Sequence, residues 1–233
     1  MKLVFIDLDG TLEDSRDDMA HSVNRVRSYF ELPPHSHDFN RQNVNRGMEQ
    51  LYRTCFAELF SSDEPSHVVT DLPPKDTDVL ARIQQAYEQD YARHIVDSTR
   101  LYAGMDAALR RIAEHHTLVC FTNKPEALSR LLLEKLAVGD CFSDVMGGDS
   151  CSESKPSALP MRIAAERLGY DSERDSACMI GDTAGDMRAG RSFGATTIWC
   201  AWGYLDAPPG EPKPDWQATQ PADIPDLLNR IFQ

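Results

Sequence analysis

The chain has 233 residues and 41% hydrophobic content, enough for one substantial core or for a core with a smaller second domain. Its formal net charge is −13 and no Lys/Arg-rich stretch occurs, which argues against nucleic acid and anionic membrane surfaces as partners. An anionic substrate stays admissible, because one metal ion and one or two local cations reverse the sign inside a pocket.

Residues 1–6 form an apolar run of Leu, Val, Phe and Ile that predicts a buried parallel strand. It stops at two carboxylates, Asp7 and Asp9, followed by Gly10-Thr11. On an extended chain, residues i and i+2 share a side, so two like charges meet at the strand's carboxyl end. That arrangement costs energy unless a cation offsets it, and strand carboxyl ends are where open α/β sheets bind ligands.

From about Glu13 to Tyr102 the pattern is helical. Met19, Val23, Val26 and Phe30 follow helical spacing, as do Met48, Leu51, Tyr52, Cys55, Phe56 and Leu59. Val79, Ile83, Ala86 and Tyr87 suggest a third helix, and prolines at 33, 34, 65, 73 and 74 punctuate the stretch.

Beyond Ala103, strands and helices alternate. Strands are expected at 117–122, 144–147, 177–180 and 196–200, and helices at 125–136, 159–168, 186–191 and 224–232, with a Pro-rich loop over 208–214. Alternation of this kind predicts a three-layer α/β core with a parallel sheet. The expected division is residues 1–12 with 103–233 as a catalytic core, and residues 13–102 as an inserted all-helical domain. Hinges are expected near 12–13 and 102–104.

Six cysteines occur without a Cys-x-x-Cys, and three of them (Cys120, Cys178, Cys200) lie in strand-like runs, so they are expected to be small buried hydrophobes. The first apolar run is too short and too acidic for a signal peptide, and nothing reaches membrane-spanning length. A cytoplasmic protein is expected. His35, His37, His115 and His116 read as exposed loop or helix-end histidines, since no ligand spacing completes a metal site. The inserted helices show no coiled-coil seam that would specify an oligomer.

Three more features carry chemistry. Thr122, Asn123 and Lys124 close a strand just before a helix, whose first backbone N–H groups favour an anion. Lys155 stands ahead of a helix in Ser154-Lys155-Pro156. Gly181-Asp182-Thr183-Ala184-Gly185-Asp186 ends a strand with two carboxylates four apart, a spacing that stacks side chains on a helical turn. Asp182 and Asp186 could also simply cap that helix.

In this order the motifs, Asp-x-Asp-Gly-Thr, Thr, Lys and Gly-Asp-x-x-x-Asp, resemble the haloacid dehalogenase superfamily, and the resemblance spans nearly the whole chain. Asp14-Ser15 and Trp202-Gly203-Tyr204 are similar to its phosphoglycolate-phosphatase-like branch. The resemblance implies a Rossmann-like core with a helical cap and a Mg²⁺-dependent phosphomonoester hydrolase for a small phosphorylated metabolite. It implies Asp7 as nucleophile and Asp9 as acid and base. Mg²⁺ would be held by Asp7, the Asp9 carbonyl, Asp182 and, directly or through water, Asp186. Phosphate contacts would come from Thr122, the Asn123 N–H and Lys155. Arg46, in a Gly-containing turn between cap helices, would contact a substrate carboxylate or phosphate, or be a solvated helix-start arginine.

Relatives with other chemistry are distinguishable. Dehalogenases lack the second aspartate, present here as Asp9. Phosphonatases use a cap lysine, and the only one here is Lys75, in a Pro-Pro-Lys turn. Mutases usually carry a His where Met19 stands. Inorganic pyrophosphatase activity would use the same machinery, and a non-catalytic binding module would be expected to have lost Asp9 or Lys155.

Overall fold

The computed structural model describes residues 1–44, 47–60, 76–205 and 207–233, with the side chains of Asp76 and Thr77 left aside. The chain divides into two compact units, residues 1–14 with 100–233 and residues 15–99. These limits lie two or three residues inside the expected insertion. Strand β2 (Glu13–Asp14) pairs antiparallel with β3 (Arg100–Leu101), so both strands stay with the first unit.

The first unit is built on a six-stranded parallel sheet. Its strands are β1 (Lys2–Ile6), β4 (Thr117–Phe121), β5 (Asp144–Met146), β6 (Ser176–Gly181), β7 (Thr196–Cys200) and β8 (Trp216–Ala218). They lie in the order β5-β4-β1-β6-β7-β8. The short edge strand β8, unforeseen in the sequence, pairs Trp216 with Ile198 and Ala218 with Cys200.

The continuous apolar character of β1 follows from burial on both faces: Leu3, Val4, Phe5 and Ile6 are all fully buried. Leu3 and Phe5 face a cluster with Val119, Phe121 and Met179 from the sheet. Met161, Ala164 and Ala165 of α7 (Leu159–Arg167) and Ala189 of α8 (Ala184–Phe193) complete it. Gly190 of α8 is required there, since a Cβ would lie 2.7 Å from the Met179 side chain. Helices α5 (Met105–Ala113), α6 (Glu126–Lys135) and α9 (Ile224–Ile231) complete the unit. Because β4 and β6 flank β1 on opposite sides, the chain leaves β1 and its neighbours in opposite directions. In open α/β sheets such a reversal is where ligands bind, at the strands' carboxyl ends.

The second unit holds α1 (Arg16–Tyr29), α2 (His37–Asn43), α3 (Met48–Cys55) and α4 (Asp76–Arg93). Its core gathers Val23, Val26, Leu51, Tyr52, Cys55, Phe56, Ile83 and Tyr87, residues that carry the helical spacing of the sequence. The buried Arg27 guanidinium donates to Glu58, to the Cys55 carbonyl and to the Pro33 carbonyl. Asp18, also buried, accepts from the Ser98 and Thr99 N–H groups and from the Thr99 hydroxyl. Both side chains thus meet the demand that buried charge be hydrogen-bonded.

All six cysteines are free thiols; Cys55, Cys120, Cys141, Cys178 and Cys200 are buried and Cys151 is half-buried. Two histidines depart from the expected exposure. His35 packs on Phe39 and His116 on Phe232, and burial holds both imidazoles below the usual range. His37 and His115 are exposed. Among the described residues, no helix is long and apolar enough to cross a membrane.

Candidate active site

At the end of β1 the Asp7 N–H still donates to the Ile180 carbonyl at 2.9 Å, so the ladder runs right up to the first carboxylate. Leu12 then donates back to the Leu8 carbonyl at 2.8 Å, closing a tight turn that passes through Gly10 at φ +83°. A side chain at residue 10 would also lie 2.5 Å from Asp182 Oδ2, so both the conformation and the space select glycine.

Asp7, Asp182 and Asp186 converge: each offers a carboxylate oxygen, and these oxygens lie within 4.8 Å of one another. Helical stacking at a spacing of four is not what joins the last two. Thr183, in an extended conformation (φ −114°, ψ 162°), is the N-cap of α8, so Asp182 belongs to the strand end and only Asp186 to the helix. The turn between β6 and α8 folds one carboxylate towards the other. Asp186 also completes a capping box: its Oδ2 accepts from the Thr183 N–H, while its own N–H donates to the Thr183 hydroxyl. The capping role and membership of the cluster therefore coexist in one side chain. Gly181 allows this closeness, since a Cβ there would lie 2.3 Å from Asp186 Cγ.

Lys155 bridges the cluster, with Nζ 2.5 Å from Asp7 Oδ1 and 2.7 Å from Asp186 Oδ1. Burial works against the Lys155 ammonium, but Asp186 and Asp7 outweigh it and hold the group above the usual lysine range. Burial pushes Asp7 well up, against the opposing pull of Lys155 and with further pressure from Asp186 and Asp182. Asp182 is raised to about 7, first by burial and then by Asp186, against the Tyr204 N–H and Lys155. Three buried carboxylates around one ammonium cannot all ionise without cost unless a further cation joins them. An all-oxygen donor set of this kind fits a hard divalent cation such as Mg²⁺.

Asp182 is held from behind by residues that no local sequence pattern assigns to the site. Trp199 Nε1 donates to its carbonyl at 2.9 Å and the Tyr204 N–H to its Oδ2 at 2.8 Å. Trp202 Nε1 donates to the Thr11 carbonyl at 3.0 Å, tying the same loop to the β1 turn. Gly203 lies directly on Asp182; a Cβ there would be 2.2 Å from Asp182 Cβ and 2.7 Å from Oδ2. Gly203→Ala is therefore expected to destabilise the protein by about 1–3 kcal/mol, as overpacking does. By displacing the Asp182 carboxylate it should also weaken any divalent cation held at the cluster by about tenfold or more. Urea unfolding in chelator and a Mg²⁺ titration followed by calorimetry would check the two effects separately.

The turn after β4 is the third contributor. Thr122 is buried, its N–H donates to the Met146 carbonyl, and its hydroxyl accepts from the Lys124 N–H at 3.1 Å. The Asn123 side chain addresses the Lys155 backbone from both sides: Oδ1 accepts from the Lys155 N–H at 2.9 Å and Nδ2 donates to its carbonyl at 3.3 Å. Asn123 thus fixes the lysine's main chain. Lys124 Nζ lies 2.7 Å from Asp9 Oδ1, with the lysine side chain 2% exposed and that of Asp9 23%. The Asp9 carboxylate stands outside the Asp7, Asp182 and Asp186 cluster. Arg46 and Lys75 lie outside the described residues.

Comparison with known proteins places the chain as a whole in a family. Residues 4–200 match the family of haloacid dehalogenase-like hydrolases, and the chain belongs to that family of enzymes. Within it, the chain falls in the phosphoglycolate-phosphatase-like branch. It is 35% identical to a phosphoglycolate phosphatase of Chromobacterium violaceum, over 89% of this chain and 88% of that one. It is 31% identical to one of Nitrosospira multiformis, over 88% and 85% respectively. Among solved structures, a predicted phosphoglycolate phosphatase of Haemophilus somnus superimposes with a TM-score of 0.79 at 26% identity, covering 99% of this chain and 97% of the other.

Proposed function

We propose that this hydrolase is a Mg²⁺-dependent phosphomonoesterase that acts on a small phosphorylated metabolite of the phosphoglycolate kind through an aspartyl-phosphate. The observation that carries this reading is the buried Asp7 carboxylate, 2.5 Å from the Lys155 ammonium and within 4.8 Å of the Asp182 and Asp186 oxygens. A nucleophile, a cation for phosphoryl oxygens and an oxygen-rich metal cradle then share one site.

In the first step an Asp7 oxygen forms a bond to phosphorus as the ester P–O bond breaks, and Asp9 gives its proton to the departing alkoxide. In the second, Asp9 takes a proton from water, the water oxygen bonds to phosphorus, and the Asp7–phosphorus bond breaks to release inorganic phosphate. Thr122, the Asn123 N–H and Lys155 hold the phosphoryl oxygens through both steps. Asp7, Asp182, Asp186 and the Asp9 backbone carbonyl would hold Mg²⁺, which when bound supplies a Lewis acid for the phosphoryl charge. In this reading the inserted helices act as a specificity-setting cap, and Arg46 is the candidate contact to a second anionic group of the substrate.

The test is phosphate release from a panel that includes 2-phosphoglycolate, sugar phosphates and inorganic pyrophosphate, with Mg²⁺ and with chelator. The expected result is Mg²⁺-dependent turnover that favours a small phosphomonoester. Background rates across the whole panel in both conditions would remove the reading.

A further inference from the structure

The function proposed above gives no task to Lys124. Its side chain is 2% exposed, and a buried ammonium is expensive unless an anion and hydrogen bonds compensate it. Lysine therefore needs a reason to occupy this position. The carboxylate it meets is Asp9, at 2.7 Å on Oδ1.

The backbone around Lys124 is fixed on several sides. Its N–H donates to the buried Thr122 hydroxyl, and its carbonyl accepts from the Gly148 N–H at 3.0 Å and from the Ser129 hydroxyl at 3.4 Å. Gly147 and Gly148 permit that approach, since a Cβ on either would lie within 2.8 Å of the turn's backbone. Asp9 sits on a turn of its own, and at 23% exposure its side chain is partly open to solvent. A rigid turn thus carries an ammonium to one oxygen of a carboxylate that must point at a transferring proton.

We propose that Lys124 is a positioning residue for Asp9: by anchoring Oδ1 it aims the carboxyl group at the water that cleaves the aspartyl-phosphate. This rests on the reading of Asp7 as nucleophile and Asp9 as proton carrier. It adds that the turn after β4 serves two lysines, with Asn123 placing Lys155 on the phosphoryl side and Lys124 orienting the acid–base group. A misaimed base slows the step it serves far more than it weakens binding, because a near-attack geometry tolerates errors well under 1 Å.

The probe is 2,4-dinitrophenyl phosphate, whose leaving group departs without a proton. With Mg²⁺ present, Lys124→Met should release the first equivalent of dinitrophenolate within about threefold of the wild-type rate. Steady-state turnover should then fall about 30- to 100-fold, with KM within about threefold, giving a burst of one equivalent per protein. Asp9→Asn should give the same burst with still slower turnover, and Lys124→Arg, which keeps a cation, should recover turnover to within about tenfold of wild type.

Equal loss in the burst and in the steady state would mark Lys124 as merely structural and overturn the proposal. So would unchanged turnover in Lys124→Met beside an impaired Asp9→Asn. If Lys124→Met does not fold, Lys124→Arg and Lys124→Gln decide, and equal burst and steady-state losses in both overturn it. The underlying function fails on a different result: no dinitrophenolate from the wild type, or full turnover in Asp7→Asn.

Discussion

Asp7→Asn is expected to lower phosphate release by on the order of 10⁴-fold or more, the scale on which enzymes lose rate when a covalent nucleophile is removed. The amide is nearly isosteric, so the fold should survive. Electrostatics supports this. Asp7 is 4% exposed, and burial together with Asp186 and Asp182 disfavours its charge, while Lys155 favours it. The substitution removes one partner of the Lys155 ammonium, yet Asp186 remains at 2.7 Å, so no buried cation is orphaned. Unfolding in chelator should therefore show stability within about 2 kcal/mol of wild type, well short of the cost of breaking a buried pair outright. An unfolded Asp7→Asn would show that Lys155 depends on Asp7 for its burial. A folded variant with wild-type turnover would transfer the nucleophile's role to another group. The informative outcome is a folded, inactive protein, because it separates chemistry from architecture at a residue buried deeply enough for the two to be confused.

Much of this site is legible in the sequence because strand ends are legible. The run of residues 3–6 must be buried, and a carboxylate that follows it immediately must lie at the sheet's carboxyl edge; the same holds for Asp182 after residues 177–181. Helical periodicity likewise located α1, α3 and α4, whose buried residues repeat at three and four. It missed α2, because His37-Asp38-Phe39-Asn40-Arg41-Gln42-Asn43 buries polar groups. Asn40 is fully buried and donates to the Ala20 carbonyl.

Local pattern fails wherever the reason for a residue lies elsewhere in the chain. Lys124 is placed by its pattern only at a strand's carboxyl end, and its task shows once Asp9, 115 positions away, is seen against it. No local pattern explains Gly203, whose reason is that Asp182 fills the space a side chain would need. The spacing of Asp182 and Asp186 suggested a shared helical face, whereas the structure joins them through a strand-to-helix turn. A spacing constrains which residues meet, but the backbone between them decides how.

Three carboxylates held ready for a cation should also destabilise the protein when no cation is bound, and the pH dependence should reveal it. Asp182 has its proton affinity raised from 3.8 to about 7, so between those values the folded protein binds more protons than the unfolded chain. Stability must then fall as pH rises through that window and level off above about 7. At roughly 1.4 kcal/mol for each tenfold change in proton affinity, the loss is about 4 kcal/mol at most.

Wild type alone would blur the effect. His35 and His116 are held below the usual imidazole range, and they make stability rise with pH near neutrality. The difference between wild type and Asp182→Asn removes the histidines and leaves the Asp182 carboxylate together with its pressure on Asp7. In chelator, that difference should move against wild type from pH 4 to pH 7 by up to about 4 kcal/mol, measured by urea unfolding. A pH-independent difference would mean that Asp182 carries no excess proton.

Adding Mg²⁺ should reverse the trend, stabilising wild type strongly at pH 8 and little at pH 5, where protons compete for the same oxygens. Calorimetry near pH 6.5 in two buffers of different ionisation enthalpy should register net proton release on Mg²⁺ binding, since burial raises both Asp7 and Asp182. Asp182→Asn should release fewer protons, which would tie part of the release to that carboxylate. The instability of the empty cluster and its affinity for a cation are then one quantity seen from two sides. A site that let its carboxylates relax apart would be more stable without metal and would bind it less well.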